Sequence, residues 1–221
     1  ESREYIELGN PIKGTASLDP RLNGNIYVGH GIPAEEPIGR LAINLFSHKR
    51  IFFTGRGPKA WRAWSAADSS PIYVGGFLFW PSENGTLYKY SVSDSGEIKL
   101  HSYLRYRRKD ASGAAGIENS MCVYKNYGWF GDNYGDILCI DLNTLKPVWR
   151  YNIGDDIDGS IVCEVIDGMP LLYCGCEVDR QGDEGKCHIV KLNGLTGEAI
   201  WDSAIQCRKH IIGSKHHDGG L

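Results

Sequence analysis

Two segments of this chain repeat each other in register. Gly131-Asp-Asn-Tyr-Gly-Asp-Ile-Leu-Cys-Ile-Asp-Leu-Asn-Thr-Leu-Lys-Pro-Val-Trp149 is answered by Gly185-Lys-Cys-His-Ile-Val-Lys-Leu-Asn-Gly-Leu-Thr-Gly-Glu-Ala-Ile-Trp201. Counted back from each Trp, Asp141 matches Asn193, Thr144 matches Thr196 and Val148 matches Ile200. Each copy reads as an apolar strand, a polar turn and a strand closing on Trp. In a chain made of such copies each unit buries its faces against its neighbours, and none is a domain alone.

The repeat extends upstream. A strand ending in Gly recurs at Ile26-Tyr-Val-Gly29, Ile72-Tyr-Val-Gly75, Gly128-Trp-Phe-Gly131 and Leu172-Tyr-Cys-Gly175, at spacings of 46, 56 and 44 residues. These suit four-stranded propeller blades. A second glycine with an apolar run follows each: Gly39, Gly85, Gly135 and Gly185. In the first two copies Phe52 or Phe53, and then Leu100, stand where the later copies have Trp, and Phe77-Leu-Phe-Trp-Pro81 reads as an apolar insertion after Gly75. The 28 Gly and 9 Pro supply frequent turns, and no helical periodicity extends beyond about two turns. The expected fold is all-β: a propeller of four-stranded antiparallel blades, about four of them plus partial units. They form a single domain over residues 1–221, with blades near 13–57, 61–107, 117–151 and 156–207. Gly29, Gly75, Gly131, Gly175, Trp149 and Trp201 are its structural residues.

Charge excludes one class of partner. Net charge is -3 and the one basic cluster is Arg105, Arg107, Arg108 and Lys109, too small a footprint for nucleic acid. No apolar run reaches the ~18 residues of a membrane span, and the first residues do not read as a signal peptide, which an exported form would have lost. The seven cysteines are odd in number. If the hairpin joining Cys174-Gly-Cys176 to Lys186-Cys187 turns symmetrically near Gln181 and Gly182, Cys176 lies opposite Cys187, close to disulfide reach.

Several groups invite chemistry. Trp61, Arg62, Trp64 and Trp80 could form a ligand-stacking platform at a channel mouth; the plainer alternative is that the Trp pair plugs the gap between blades. Gly154-Asp-Asp-Ile-Asp158-Gly carries three carboxylates in four residues, as a calcium loop would, but without the Glu at a twelfth position. Turns between blades favour Asp and Gly for backbone reasons alone. Cys174, Cys176, Cys187 and His188 are zinc-type ligands at spacings unlike structural zinc sites. His210, His216 and His217 next to Asp218 could hold a metal or act as a base, yet no nucleophile elbow or phosphate loop accompanies them.

The run Tyr-Val-Gly, then Gly-x-Leu, then Thr196-Gly-Glu-Ala-Ile-Trp201 resembles the PQQ-like, or quinoprotein-alcohol-dehydrogenase-like, β-propeller repeats. The resemblance covers residues 13–207 and is best over 117–207. It implies membership of a seven- or eight-bladed propeller, with Trp and Gly docking one blade on the next. The family's dehydrogenases carry an adjacent Cys-Cys disulfide beside the quinone, acidic calcium ligands and a catalytic Asp. This chain has Cys174-Gly-Cys176 and no adjacent pair. The resemblance therefore implies a non-catalytic binding or scaffold module of bacterial, extracytoplasmic (periplasmic or secreted) type. No cofactor is expected, PQQ and calcium included. The expected partner is a protein or small ligand at a propeller rim, or a second copy completing a ring; nucleic acid is not expected. Two alternatives stay open: a fragment of a quinone- and calcium-dependent dehydrogenase, and a carbohydrate-binding propeller.

Overall fold

The computed structural model of the chain describes residues 5, 6, 8, 11–30, 39–55, 66–105, 115–179 and 185–206. Among them there is no helix, and the sixteen strands form four four-stranded antiparallel sheets. The first sheet comprises β1 (Ser17–Leu18), β2 (Asn25–His30), β3 (Gly39–Asn44) and β4 (Lys49–Thr54); the second, β5 (Ile72–Val74), β6 (Phe77–Trp80), β7 (Thr86–Val92) and β8 (Ile98–Arg105). The third comprises β9 (Cys122–Tyr124), β10 (Tyr127–Gly131), β11 (Asp136–Asp141) and β12 (Pro147–Asn152); the fourth, β13 (Val162–Ile166), β14 (Met169–Gly175), β15 (Lys186–Asn193) and β16 (Ala199–Gln206). Within each sheet the strands neighbour one another in chain order, the arrangement of a propeller blade. The chain divides into two compact units of two sheets each, Glu1–Ala114 and Ala115–Leu221.

A shared irregularity fixes which residues are equivalent. The third strand of every sheet slips register once, between Ala42 and Ile43, Lys89 and Tyr90, Cys139 and Ile140, and Lys191 and Leu192. The outer-strand residues opposite the last regular position are Phe52, Ser102, Trp149 and Trp201. Phe52 thus takes the place of the later Trp residues, as expected. Leu100 does not; it pairs with Tyr90, beyond the slip. The turn after the third strand is also repeated. Asn44 Oδ1 accepts from the Phe46 and Ser47 amides at 3.1 and 2.9 Å, Asp141 Oδ1 from Thr144 at 2.8 Å, and Asn193 Oδ1 from Leu195 and Thr196 at 2.9 and 3.3 Å. Such side chains hold a turn by bonding the backbone two or three residues on. The chain then passes through positive φ at His48 (53°), Leu145 (56°) and Gly197 (76°).

The second sheet corrects the sequence reading. Gly75 and Gly76 stand at φ 59° and 82° in the two-residue turn between β5 and β6, the conformation of a tight hairpin. By register the true counterpart of Gly29, Gly131 and Gly175 is Pro81, which follows Trp80. The stretch from Phe77 to Trp80 is β6 itself, not an insertion. Tyr73-Val-Gly75 imitates the repeat because its hairpin needs glycine for a different backbone reason.

The proposed Cys176–Cys187 bridge is also corrected. Gly175 pairs with Ile189 and the Cys176 amide bonds the His188 carbonyl at 3.0 Å, so Cys176 faces His188 and not Cys187. One residue of slip turns a side chain to the other face. Cys176 is a free thiol, with Cys122, Cys139, Cys163 and Cys174, whereas Cys187 is disulfide-bonded to a partner outside the described residues.

Each unit has its core between its two sheets. In Ala115–Leu221, Trp129, Ile137 and Cys139 pack against Leu172, Cys174, Val190 and Leu192, with Ile153, Ile157 and Ile161 from the crossover between. Each such aliphatic side chain contributes about 1.5–3 kcal/mol on full burial. The indoles of Trp129 and Trp149 both donate to the Gly194 carbonyl, at 3.0 and 2.9 Å. Trp149 also lies over Gly197, where an added Cβ would stand 2.7 Å from its ring.

In Glu1–Ala114, Tyr27 and Ala42 face Leu78, Trp80, Tyr88 and Tyr90, and Phe52 meets the Tyr90 ring edge-on at 5.5 Å. Asp19 anchors this seam, accepting from Arg21 Nη2 and Tyr27 Oη, both at 2.7 Å. Arg40, from β3, is fully buried in the same seam. Its counterparts by register are Leu87, Ile137 and Ile189. Its Nη1 donates to Ser82 Oγ at 2.8 Å, its Nη2 to the Gly55 carbonyl at 2.7 Å, and its Cζ lies 4.5 Å from the Tyr88 ring centre. A desolvated cation–π contact offsets about 2 kcal/mol, less than the several kcal/mol that burying the charge costs.

Candidate functional site

Two features of the second unit could carry function. The first is acidic. The crossover from β12 to β13 contains Asp155, Asp156 and Asp158, and the chain leaving β14 contains Glu177. The Glu177 amide donates to the Asp156 carbonyl at 2.9 Å, and the Asp155 carboxylate accepts from the Asp156 and Asp179 amides at 2.8 and 3.1 Å. These bonds hold the two segments together. As a result, carboxylate oxygens of Asp156, Asp158 and Glu177 come within 4.8 Å of one another, with Asp156 and Glu177 buried. Oxygen donors at this density suit a hard cation. The sequence marked Asp156 and Asp158 but missed Glu177, which is distant in the chain and reaches them only through the fold.

The second feature is the face of the fourth sheet that carries Trp201. Register places Val162, Tyr173, Lys191 and Trp201 in one row across the sheet. The equivalent rows are Cys122, Trp129, Cys139 and Trp149 in the third sheet, and Ser17, Tyr27, Ala42 and Phe52 in the first. Within their own units both of those rows are covered by the next sheet. The row ending in Trp201 is not: Val162 is 60%, Ile166 46%, Met169 44% and Trp201 42% exposed. Polar contacts already order this face. Tyr173 Oη donates to Glu164 Oε2 at 2.7 Å, and Lys191 Nζ lies 5.0 Å from the Tyr173 ring centre.

The other groups marked in the sequence fall as follows. Trp61, Arg62 and Trp64 lie outside the described residues, as do His210, His216, His217 and Asp218. Trp80 is fully buried in the core of the first unit, which removes it from a carbohydrate-stacking platform. Cys187 is committed to its disulfide, and Cys176 Sγ accepts from the His188 amide at 3.2 Å, so the zinc set does not assemble as drawn. His188 instead turns to the outer strand: its Nδ1 is 2.8 Å from Asp202 Oδ1, and Tyr151 Oη donates to Asp202 Oδ2 at 3.1 Å. Burial, and then the Asp202 carboxylate, push the Tyr151 phenol above its ordinary value, so Tyr151 is a donor at neutral pH.

The thiols are inert by environment. Burial raises Cys139 and Cys174 to about 12 each and pushes Cys122 higher still. No two cysteines are adjacent in the sequence, and Cys174 and Cys176 are free thiols within the core. They do not fit the disulfide platform that the sequence resemblance implies for a quinone. The acidic group does fit a divalent or trivalent cation in its donor chemistry.

No family model matches the chain, and no curated protein matches it. Among solved structures, it is similar to a europium-containing methanol dehydrogenase, with a TM-score of 0.51 and 13% identity over 70% of this chain and 26% of that one. At that identity the likeness shows the fold, a β-propeller. The chain spans about a quarter of the length of the structure it matches. No helix among the described residues is long and apolar enough to cross a membrane.

Proposed function

We propose that this chain is a non-catalytic binding module of the β-propeller class, and that its binding surface is the Trp201 face of the fourth sheet. One observation carries the reading: equivalent rows ending in Phe52 and Trp149 are each buried by another sheet, whereas the row ending in Trp201 is exposed. The partner that such a face fits is another four-stranded sheet. Within the unit the third sheet's row meets the opposite side of the fourth, at Leu172, Cys174, Val190 and Leu192, so a contact between two Trp201 faces would be a different pairing of sheets. A second copy of the chain offers the same face, and like-to-like contact closes on itself as a two-fold dimer. An extracytoplasmic location belongs to this reading. The disulfide at Cys187 supports it, since disulfides persist in oxidising compartments. The test is sedimentation velocity of the intact chain and of Trp201→Lys. The wild type should dimerise, and the substitution should weaken the dimer at least about 100-fold, as expected for a charge placed in a desolvated interface core. Equal association of the two proteins would end the proposal.

The acidic group supports a second reading, a cation-dependent dehydrogenase segment. Asp156, Asp158 and Glu177 would hold the ion, whose chemistry would be that of a Lewis acid. Europium luminescence with wild type and Asp156→Asn tests the ion site, and substrate-dependent dye reduction with added quinone and calcium tests the activity. An unchanged luminescence lifetime on adding protein, or no dye reduction, counts against it.

A further inference from the structure

Two turns of the first sheet, from β1 to β2 and from β3 to β4, lie at the same end of the sheet and are tied together. The Leu45 amide donates to the Gly24 carbonyl at 2.8 Å, and Asn44 Nδ2 donates to the Asn23 carbonyl at 2.9 Å and to Asn25 Oδ1 at 2.7 Å. The Phe46 ring covers Gly24, where an added Cβ would stand 2.7 Å from its Cδ2. The joined turns carry Leu22, Leu45 and Phe46 at their tip. Leu22 is 72% and Phe46 76% exposed, and no other Leu, Ile, Val or Phe among the described residues is as exposed. Neither residue is demanded by its turn. Leu22 stands at φ 56°, a conformation that Gly or Asn adopts at less cost. Counted from the shared register slip, the position of Phe46 is held by Ser93, Asn143 and Leu195 in the other sheets. A grouped apolar surface that folding does not require marks a contact site.

The charges behind the tip select the partner. The chain leaves it through His48, Lys49 and Arg50, all exposed. Lys49 lies across the ladder from Asn44 and Arg50 from Ile43, so the two cations project to opposite sides of the sheet just behind the apolar tip. The ion pairs at this end join Arg21 to Asp19 and Asp94, and Lys99 to Glu97; among the described residues no carboxylate pairs with Lys49 or Arg50. Arg50 lies over the Phe53 ring at 5.3 Å, a contact that leaves its charge unneutralised. In a chain of net charge -3 this collar is a local departure. Nucleic acid would use the two cations but offers no place for three apolar side chains. An anionic bilayer presents both layers in the matching order, phosphates outside and acyl chains beneath.

We propose that this end of the first sheet is a peripheral membrane contact: Leu22, Leu45 and Phe46 enter the headgroup layer of an anionic bilayer while Lys49 and Arg50 bind its phosphates. One such tip gives shallow, reversible binding rather than an anchor. It is separate from the Trp201 face, which belongs to the fourth sheet.

Co-sedimentation of the intact chain with vesicles of phosphatidylcholine and phosphatidylglycerol in equal parts, and with vesicles of phosphatidylcholine alone, tests this. The wild type should pellet with the anionic vesicles, far less with the neutral ones, and should be released by high salt. Phe46→Ser should weaken the affinity at least about tenfold, and Lys49→Gln and Arg50→Gln about fivefold each. All three side chains are exposed, so urea midpoints close to that of the wild type should separate lost binding from lost fold. Equal pelleting with both kinds of vesicle, or anionic binding that Phe46→Ser leaves unchanged, would overturn the contact. Absence of pelleting with either would overturn it as well and assign the tip to a protein partner.

Discussion

Gly197 and His48 occupy the same turn position in the fourth and first sheets, and the account predicts opposite outcomes for changing them. Gly197 is at φ 76°, and an added Cβ would stand 2.7 and 2.8 Å from Cδ2 and Cε3 of Trp149. A left-handed backbone costs an L-residue about 1–2 kcal/mol. Moving the indole strains its 2.9 Å bond to the Gly194 carbonyl, a bond of about 1 kcal/mol. Against this, Ala lowers the entropy of the unfolded chain by about 0.4–1 kcal/mol. Gly197→Ala should therefore destabilise by about 2 kcal/mol, combining these terms. His48 is exposed, at φ 53°. His48→Gly should stabilise by about 0.5 kcal/mol, strain relief exceeding the entropy that Gly adds. Urea unfolding followed by tryptophan fluorescence reads both, since Trp129 and Trp149 sit in the affected seam. A Gly197→Ala midpoint equal to that of the wild type would refute the claim that the seam is closed by Trp149 against this turn.

Three further predictions follow from ionisation and thiol chemistry. Cys139 and Cys174 stay protonated in the folded chain to about 12, while the unfolded chain loses those protons near 9. The unfolded state is therefore favoured as pH rises above 9, by about 1.4 kcal/mol per pH unit per thiol; a flat urea midpoint from pH 8 to 10.5 would contradict this. Burial alone would raise the Asp19 carboxyl, but bonds from Arg21, Tyr27 and Asn23 outweigh it and hold it well below the usual range. Its contribution is present above the unfolded value near 3.9 and is lost only as pH falls through the lower folded value. Asp19→Asn should cost about 2–3 kcal/mol at pH 7, less than for a fully buried pair because Arg21 is partly exposed; acid unfolding curves that coincide from pH 7 to 4 would exclude this. In denaturant without reductant, iodoacetamide should label Cys176 and spare Cys187; peptide mapping that finds Cys176 protected would restore the bridge to Cys187.

The legible part of the fold was what repetition in sequence copies directly. Asp141 and Asn193 hold the same turn, and Trp149 and Trp201 stand at the same slip in register. Four sheets and the absence of helix among the described residues follow from that periodicity and the turn residues. The second sheet misled because Gly75 serves a hairpin while Pro81 holds the repeat position, so two backbone requirements shared one letter. The cysteine pairing failed by a single residue, which sequence spacing across the connection from Gly175 to Lys186 cannot fix. Glu177 was invisible beside Asp156 because long-range pairing alone brings them together. Arg40 drew no notice, since a lone basic residue in a strand looks like a surface charge until its row is placed on the buried face.

The absolute mass of the chain in solution, by light scattering behind a sizing column over a range of concentrations, tests the central claim most directly. An exposed face equivalent to one that is buried elsewhere in the same molecule predicts a particle of twice the chain mass, reverting to the single chain in Trp201→Lys. A wild-type chain that stays at its single mass at every concentration would contradict it.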